Sequence, residues 1–186
     1  AYDDNKPATA STTVTGTTAN SAHTYDVAKN VTPNEYALTG YTFKGWNTAS
    51  NGSGTSYANN ASVKNLTATD GATVTLYAKW DANEYDITFH EEGGSTVSDQ
   101  TVVFDSTTNN EVAVPTREGY TFNGWFSGST QYESGAWSGL SDVTLTASWQ
   151  ANSYTVTYED TNKYKTVDKC KANLTEKVAE ALIYGM

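Results

Sequence analysis

Cysteine is nearly missing from this chain. Cys170 is the only one among 186 residues, so no intrachain disulfide can form, and the fold must be held by burial and hydrogen bonds. Histidine is almost as scarce: His23 and His90 are the only two. A histidine-based catalytic centre needs a nucleophile and an orienting acid beside it, and neither His stands at an informative spacing from Cys170. Basic charge is also thin, with 11 Lys+Arg against 21 Asp+Glu, a net charge of −10 and a pI near 4.5. Such a chain is repelled by phosphate backbones and anionic leaflets, which argues against nucleic-acid and lipid-surface functions. No apolar run reaches the length of a membrane span, so no membrane insertion is expected in this segment. No signal peptide opens it, and Ala1 reads as an internal residue of a longer protein.

Chemistry-bearing motifs are missing too. "YDDN" (2–5) and "HEE" (90–92) place carboxylates near strand ends, but neither has a calcium-loop spacing or a His/Cys ligand ladder. The Gly-rich "NGSGTSY" (51–57) is followed by neither Lys-Ser/Thr nor a helix, so it is a poor phosphate cradle. Lys44 and Lys79 face Asn123 and Ser148 in the repeat described next, which disfavours a shared Lys–Asn crosslink. No catalytic residue, cofactor or metal ligand is therefore expected, and the chain reads as a non-enzyme.

What is present is rings and repetition. Aromatic residues make up 12%, including 13 Tyr and 5 Trp, amid Thr, Ser, Asn and Gly. That mixture marks strands and turns, with a core that leans on large rings. "GYTFKGW" (40–46) returns as "GYTFNGW" (119–125). "TVTLYAKW" (73–80) returns as "DVTLTASW" (142–149), each followed at once by "DANEYDITF" (81–89) or "QANSYTVTY" (150–158). The closing strands lie 69 residues apart and the boxes 79 apart, so the first copy carries ten extra residues between them. Such a polar, Gly-rich insertion belongs in a surface loop. The parse is copy one at 1–81, beginning inside its own first strand, copy two at 82–150, and a partial third repeat or small terminal domain at 151–186. Joints of three residues, "DAN" and "QAN", are too short for free tumbling.

In copy two, Tyr85, Ile87 and Phe89 alternate onto one face, "TVVF" (101–104) is a second strand, and Pro115 stands outside any central strand. Val143, Leu145 and Ala147 alternate with Thr144, Thr146 and Ser148 in the closing strand. The tail differs. "NKYKTVDKCK" (162–171) reads as a strand, and Lys163, Lys165, Lys169, Lys171 and Lys177 as a solvated face. "NLTEKVAEALIYG" reads as a helix, with Asn173 as cap, Glu176 three later, Leu174, Val178, Ala181 and Leu182 on one face, and Gly185 as stop.

The opening Y-x-V-T-F, the P-x-R-x-G-Y-T-F-x-G-W box and the closing L-Y-A-K-W resemble the Listeria–Bacteroides repeat family, which includes the B-repeat of listerial internalins. Residues 85–149 carry nearly the whole pattern, and copy one matches from Tyr41 to Trp80, with "EYALTGYTF" where the family has Pro and Arg. The resemblance implies tandem small β-grasp-like domains, an α+β but mostly β class, and a place in bacterial cell-surface proteins, cell-wall attached or secreted, commonly adhesins. The rings Tyr41, Phe43, Trp46 and Trp80, and Tyr120, Phe122, Trp125 and Trp149, are expected to fill the two cores. Trp137 has no counterpart in copy one and is the candidate ligand contact, from a Gly/Ser-rich loop. The expected function is a stalk or adhesion segment whose partner is a host or neighbouring-cell protein or glycan. The alternative is a carbohydrate-binding accessory module of an extracellular enzyme.

Overall fold

The computed structural model describes residues 1–107, 111–135 and 137–158. The chain divides into two units, 1–152 and 153–186. All the strands below belong to the first, and residues 153–158 of the second are exposed and lie outside any strand.

Copy one holds eight strands: β1 Tyr2–Asp3, β2 Val14–Thr15, β3 Lys29–Asn30, β4 Ala37–Leu38, β5 Tyr41–Asn47, β6 Ser56–Tyr57, β7 Ser62–Val63 and β8 Leu76–Ala82. Copy two holds β9 Glu84–His90, β10 Gln100–Val103, β11 Tyr120–Ser127, β12 Thr130–Gln131 and β13 Val143–Ala151. The repeated lettering becomes a repeated sheet. In copy one the order is β1-β8-β5-β6, and in copy two it is β10-β9-β13-β11-β12. Each closing strand pairs antiparallel with its box strand and parallel with its opening strand. The pairs β2–β4 and β3–β7 are additions of copy one.

Alternation decides which side chains go inside. Ile87, Phe89, Val102, Trp125, Leu145 and Ala147 form the core of copy two, and Val31, Trp46, Val63, Leu76 and Ala78 that of copy one. The intervening Thr and Ser residues face outward or lie half-buried. Both box strands carry a bulge between Phe43 and Gly45 and between Phe122 and Gly124. The glycines there have φ of 129° and 132°, values that side-chain-bearing residues rarely adopt.

The described residues hold strands and no helix, so there the expected class holds in its mostly-β part. The return from β9 to its parallel partner β13 passes through the β11–β12 hairpin and polar loops. The connection before the hairpin contains the buried Pro115, which suits irregular backbone. The helix expected over 173–185, the lysines at 163–177 and Cys170 lie outside the described residues.

Candidate functional site

The repeated rings were expected to fill the two cores, and most of them point inward. In copy two, Phe89 tilts against Trp125 at 4.8 Å and 57°, Phe122 meets Trp125 edge-on at 5.5 Å, and Phe122 meets Trp149 at 5.3 Å. Copy one repeats the chain of rings with Tyr2, Trp46, Phe43 and Trp80. Tyr2 and Trp46 lie 4.8 Å apart at 56°, and Phe43 lies 5.0 Å from Trp46 and 5.6 Å from Trp80. Tyr2 is thus the counterpart of Phe89, as the match of "AYDDN" (1–5) to "TFHEEGG" (88–94) implies. The closing indoles also agree: Trp80 Nε1 donates to Asp4 O at 2.7 Å, and Trp149 Nε1 to Glu91 O at 2.8 Å. Trp46 and Trp125 are 0% and 3% exposed, which leaves neither a face on which to stack a ligand.

One difference is buried. Trp125 Nε1 donates to Ala113 O at 3.0 Å, whereas Trp46 Nε1 is buried with no hydrogen-bond partner. Copy one replaces the family's Pro and Arg with "EYALTG", and Tyr36 stands at the place of Pro115, presenting its ring edge to Trp46 at 6.2 Å. Burial leads the causes that hold the Tyr36 phenol above its ordinary pKa.

Tyr41 and Tyr120 leave the core. Tyr120 is 38% exposed, with the Arg117 guanidinium 3.8 Å over its ring. Arg117 is fixed by donating to Glu92 O at 2.9 Å. Tyr41 instead builds the joint between the copies, a site that sequence spacing located but did not describe. Asn83 N donates to Gly40 O at 2.9 Å, and Thr42 Oγ1 donates to Asn83 Oδ1 at 2.6 Å. The same pair recurs with Asn152 on Gly119 O and Thr121 on Asn152, at the same two distances.

Copy two then reaches back over copy one. Phe104, just past β10, is 3% exposed and meets Tyr41 edge-on at 5.7 Å. A Cβ on Gly40 would fall 2.3 Å from the Phe104 ring, so glycine is required there. Asp105 accepts from Ser11 N at 2.8 Å, Ser11 Oγ at 2.5 Å and Tyr41 Oη at 3.1 Å. Its burial opposes ionisation, but the Ser11 and Tyr41 donors outweigh that and hold the carboxyl below its usual range. The Tyr41 phenol is raised, first by burial and then by Asp105.

Trp137 lies half-buried against the copy-two core, 6.3 Å from Tyr132, with its Nε1 buried and without a hydrogen-bond partner. Its backbone is tied down, since Asp105 N donates to Trp137 O at 2.9 Å. The ring lines a cleft of about 250 Å³ with Gln131, Tyr132 and Leu145. His23 accompanies a chain of hydroxyls, with Tyr2 Oη, Ser21 Oγ and His23 Nε2 spaced 2.8 Å apart. Burial, Lys29 and the N-terminal ammonium keep its imidazole below the ordinary pKa. The carboxylates of "YDDN" close local turns onto Asn5 N and Lys6 N, and Glu91 accepts from Val97 N. Among the described residues no three acidic, His or Cys side chains converge on a possible metal position.

A family model for the Listeria–Bacteroides repeat domain matches residues 1–79 and 85–148. The chain belongs to that family. One relative, named as a Gly-rich membrane protein of Evansella cellulosilytica, is 35% identical over 84% of this chain and 18% of its own length. A second membrane protein by name from that organism is 41% identical over 61% of this chain and 17% of its own. Internalin H of Listeria monocytogenes is 40% identical over 49% of this chain and 15% of its own. The chain therefore spans less than a fifth of each of these relatives. No solved structure matches it. Listeria–Bacteroides repeats occur in bacterial surface proteins such as internalins, a setting typical of non-enzymatic segments. No helix among the described residues is long and apolar enough to cross a membrane.

Proposed function

We propose that this repeat segment is a non-catalytic spacer of a cell-surface protein, cell-wall attached or secreted, that holds a separate adhesive region at a set orientation. Each repeat, 1–81 and 82–150, serves as one building block. The supporting observation is the joint. Two backbone and side-chain hydrogen bonds recur at Asn83 and Asn152 with matching distances, and Phe104 and Asp105 clamp copy two onto copy one. A spacer needs angular stiffness between units, and a buried ring plus three hydrogen bonds to one carboxylate provide it. Residual dipolar couplings measured for both copies test the idea: one shared alignment tensor is expected. Two independent tensors would defeat the spacer reading.

The second reading, a carbohydrate-binding accessory module of an extracellular enzyme, rests on Trp137, which lines a cleft with Tyr132 and Leu145. Titration with soluble glycans, followed by Trp fluorescence, checks it. A saturable change lost in Trp137→Ala favours an accessory binding module.

A further inference from the structure

Phe104, Asp105 and Ser106 follow β10 directly, and they are tied on two sides. Toward copy one, Phe104 N donates to Asn83 O at 2.9 Å and the Phe104 ring lies on Tyr41. The Asp105 carboxylate accepts from Ser11 and Tyr41. Toward the far side of copy two, Asp105 N donates to Trp137 O at 2.9 Å, and Trp137 N donates to Ser106 O at 3.3 Å. That exchange satisfies both backbone groups of Trp137 and fixes its course. The ring depends on that course. It packs over the copy-two core beside Tyr132, and a Cβ on Gly139 would fall 2.5 Å from its Cζ2. The indole therefore keeps its seat only while the backbone around it stays in place.

Asp105 is also strained. Its φ is 60°, a left-handed value that a residue bearing a side chain leaves unless its surroundings hold it. Here the carboxylate bonds hold it at one end and the Trp137 bond at the other. Once the carboxylate is released, φ relaxes to negative values, and that rotation swings the Asp105 N–H off Trp137 O. The residue thus has two discrete arrangements, one that serves both the joint and Trp137 and one that serves neither.

We infer that the joint and the Trp137 cleft are coupled through the backbone of Asp105: when copy one draws away from copy two, Trp137 loses its ties and its ring comes off the core. The inference deepens the spacer reading and rests on it, because a made joint is what Trp137 senses. Tension along the segment is thereby turned into exposure of an indole beside Tyr132. A coupling free energy is reciprocal, so unseating Trp137 also loosens the hold of Asp105 on Ser11 and Tyr41.

Hydrogen exchange followed residue by residue by NMR on the 186-residue chain tests the inference. Ser11→Ala combined with Tyr41→Phe removes two hydroxyl donors to Asp105 from copy one while keeping the ring that meets Phe104. The backbone amide and Nε1–H of Trp137 are expected to exchange about tenfold faster, with Ile87 and Leu145 unchanged. A second pair of variants isolates the strain. Asp105→Ala and Asp105→Gly both discard the carboxylate, but only glycine keeps a φ near 60° without cost. Exchange at Trp137 is expected to be about tenfold faster in Asp105→Ala than in Asp105→Gly. Unchanged Trp137 exchange in the double variant overturns the inference, whether or not the Ser11 amide loses protection, and leaves the spacer reading standing. Equal exchange at Trp137 in the two Asp105 variants overturns it as well. Two independent alignment tensors in the wild-type chain would remove both readings together.

Discussion

Lys44 and Asn123 are the unlike letters of the two boxes, and both sit at the bulge, exposed and outside the ladder. The position free to vary is the one that packs against nothing, although Lys44 does approach Asp81 at 3.8 Å on the surface. The next residue is not free. A Cβ on Gly45 would meet the Tyr57 backbone oxygen at 2.5 Å, whereas on Gly124 it would meet the movable Gln131 side-chain amide at 2.7 Å. Both alanine variants carry positive-φ strain of about 1–3 kcal/mol. Gly45→Ala is expected to be the more damaging by roughly 1 kcal/mol or more, as measured by urea unfolding. The indoles give a second contrast. Trp125→Phe breaks a part-buried hydrogen bond to Ala113 O, while Trp46→Phe removes a buried N–H that has no partner. Beyond the shared loss of ring area, Trp125→Phe should cost about 0.5–1.5 kcal/mol more, again by denaturant unfolding. Equal losses would show that the two indoles are alike in solution.

Pairs of elements carry the next level of prediction. The joint depends on Asp105, whose folded pKa lies below its unfolded value. Its contribution is therefore full above the ordinary Asp range near 4 and is lost as the pH falls through the lower folded value. Chemical shifts of Ser11 and Tyr41 are expected to move together in acid, while those of the Trp125 core stay in place. Asp105→Asn should loosen the joint at neutral pH by about 1 kcal/mol or less, since the site is partly solvated. Amide exchange at Ser11 would report this, and unchanged protection would mean that Asp105 does not hold the copies together. Much at this level was legible in the letters. Period-two alternation placed Ile87, Phe89, Leu145 and Ala147 inside, and fixed spacing placed the closing strands. The joint partners were not legible, because Ser11 and Asp105 are 94 residues apart and no local pattern links them. The place of Tyr120 was not legible either. Its letter matches Tyr41, but Tyr41 meets Phe104 edge-on whereas Tyr120 is 38% exposed with Arg117 over its ring.

At the scale of the molecule, the repeat explains both what recurs and what does not. Ladder pairing and the four-ring chain are set by residues within each copy, so they repeat. The orphaned Trp46 N–H and the β2–β4 and β3–β7 pairs arise where copy one departs from the pattern. Composition foretold a strand-rich, ring-filled protein but could not show which loops fold back, as the Trp137 loop does, because that depends on the core beneath.

In copy two the first and last strands, β9 and β13, run side by side in the same direction. Tension applied to the two ends of that repeat therefore pulls the neighbouring strands past each other in opposite senses. The ladder is loaded in shear, so its bonds must yield together instead of unzipping singly. A single-molecule pull through Glu84 and Ala151 is expected to need more force than one through Glu84 and Val103, partners at one end of the antiparallel β9–β10 pair, which would peel that ladder bond by bond.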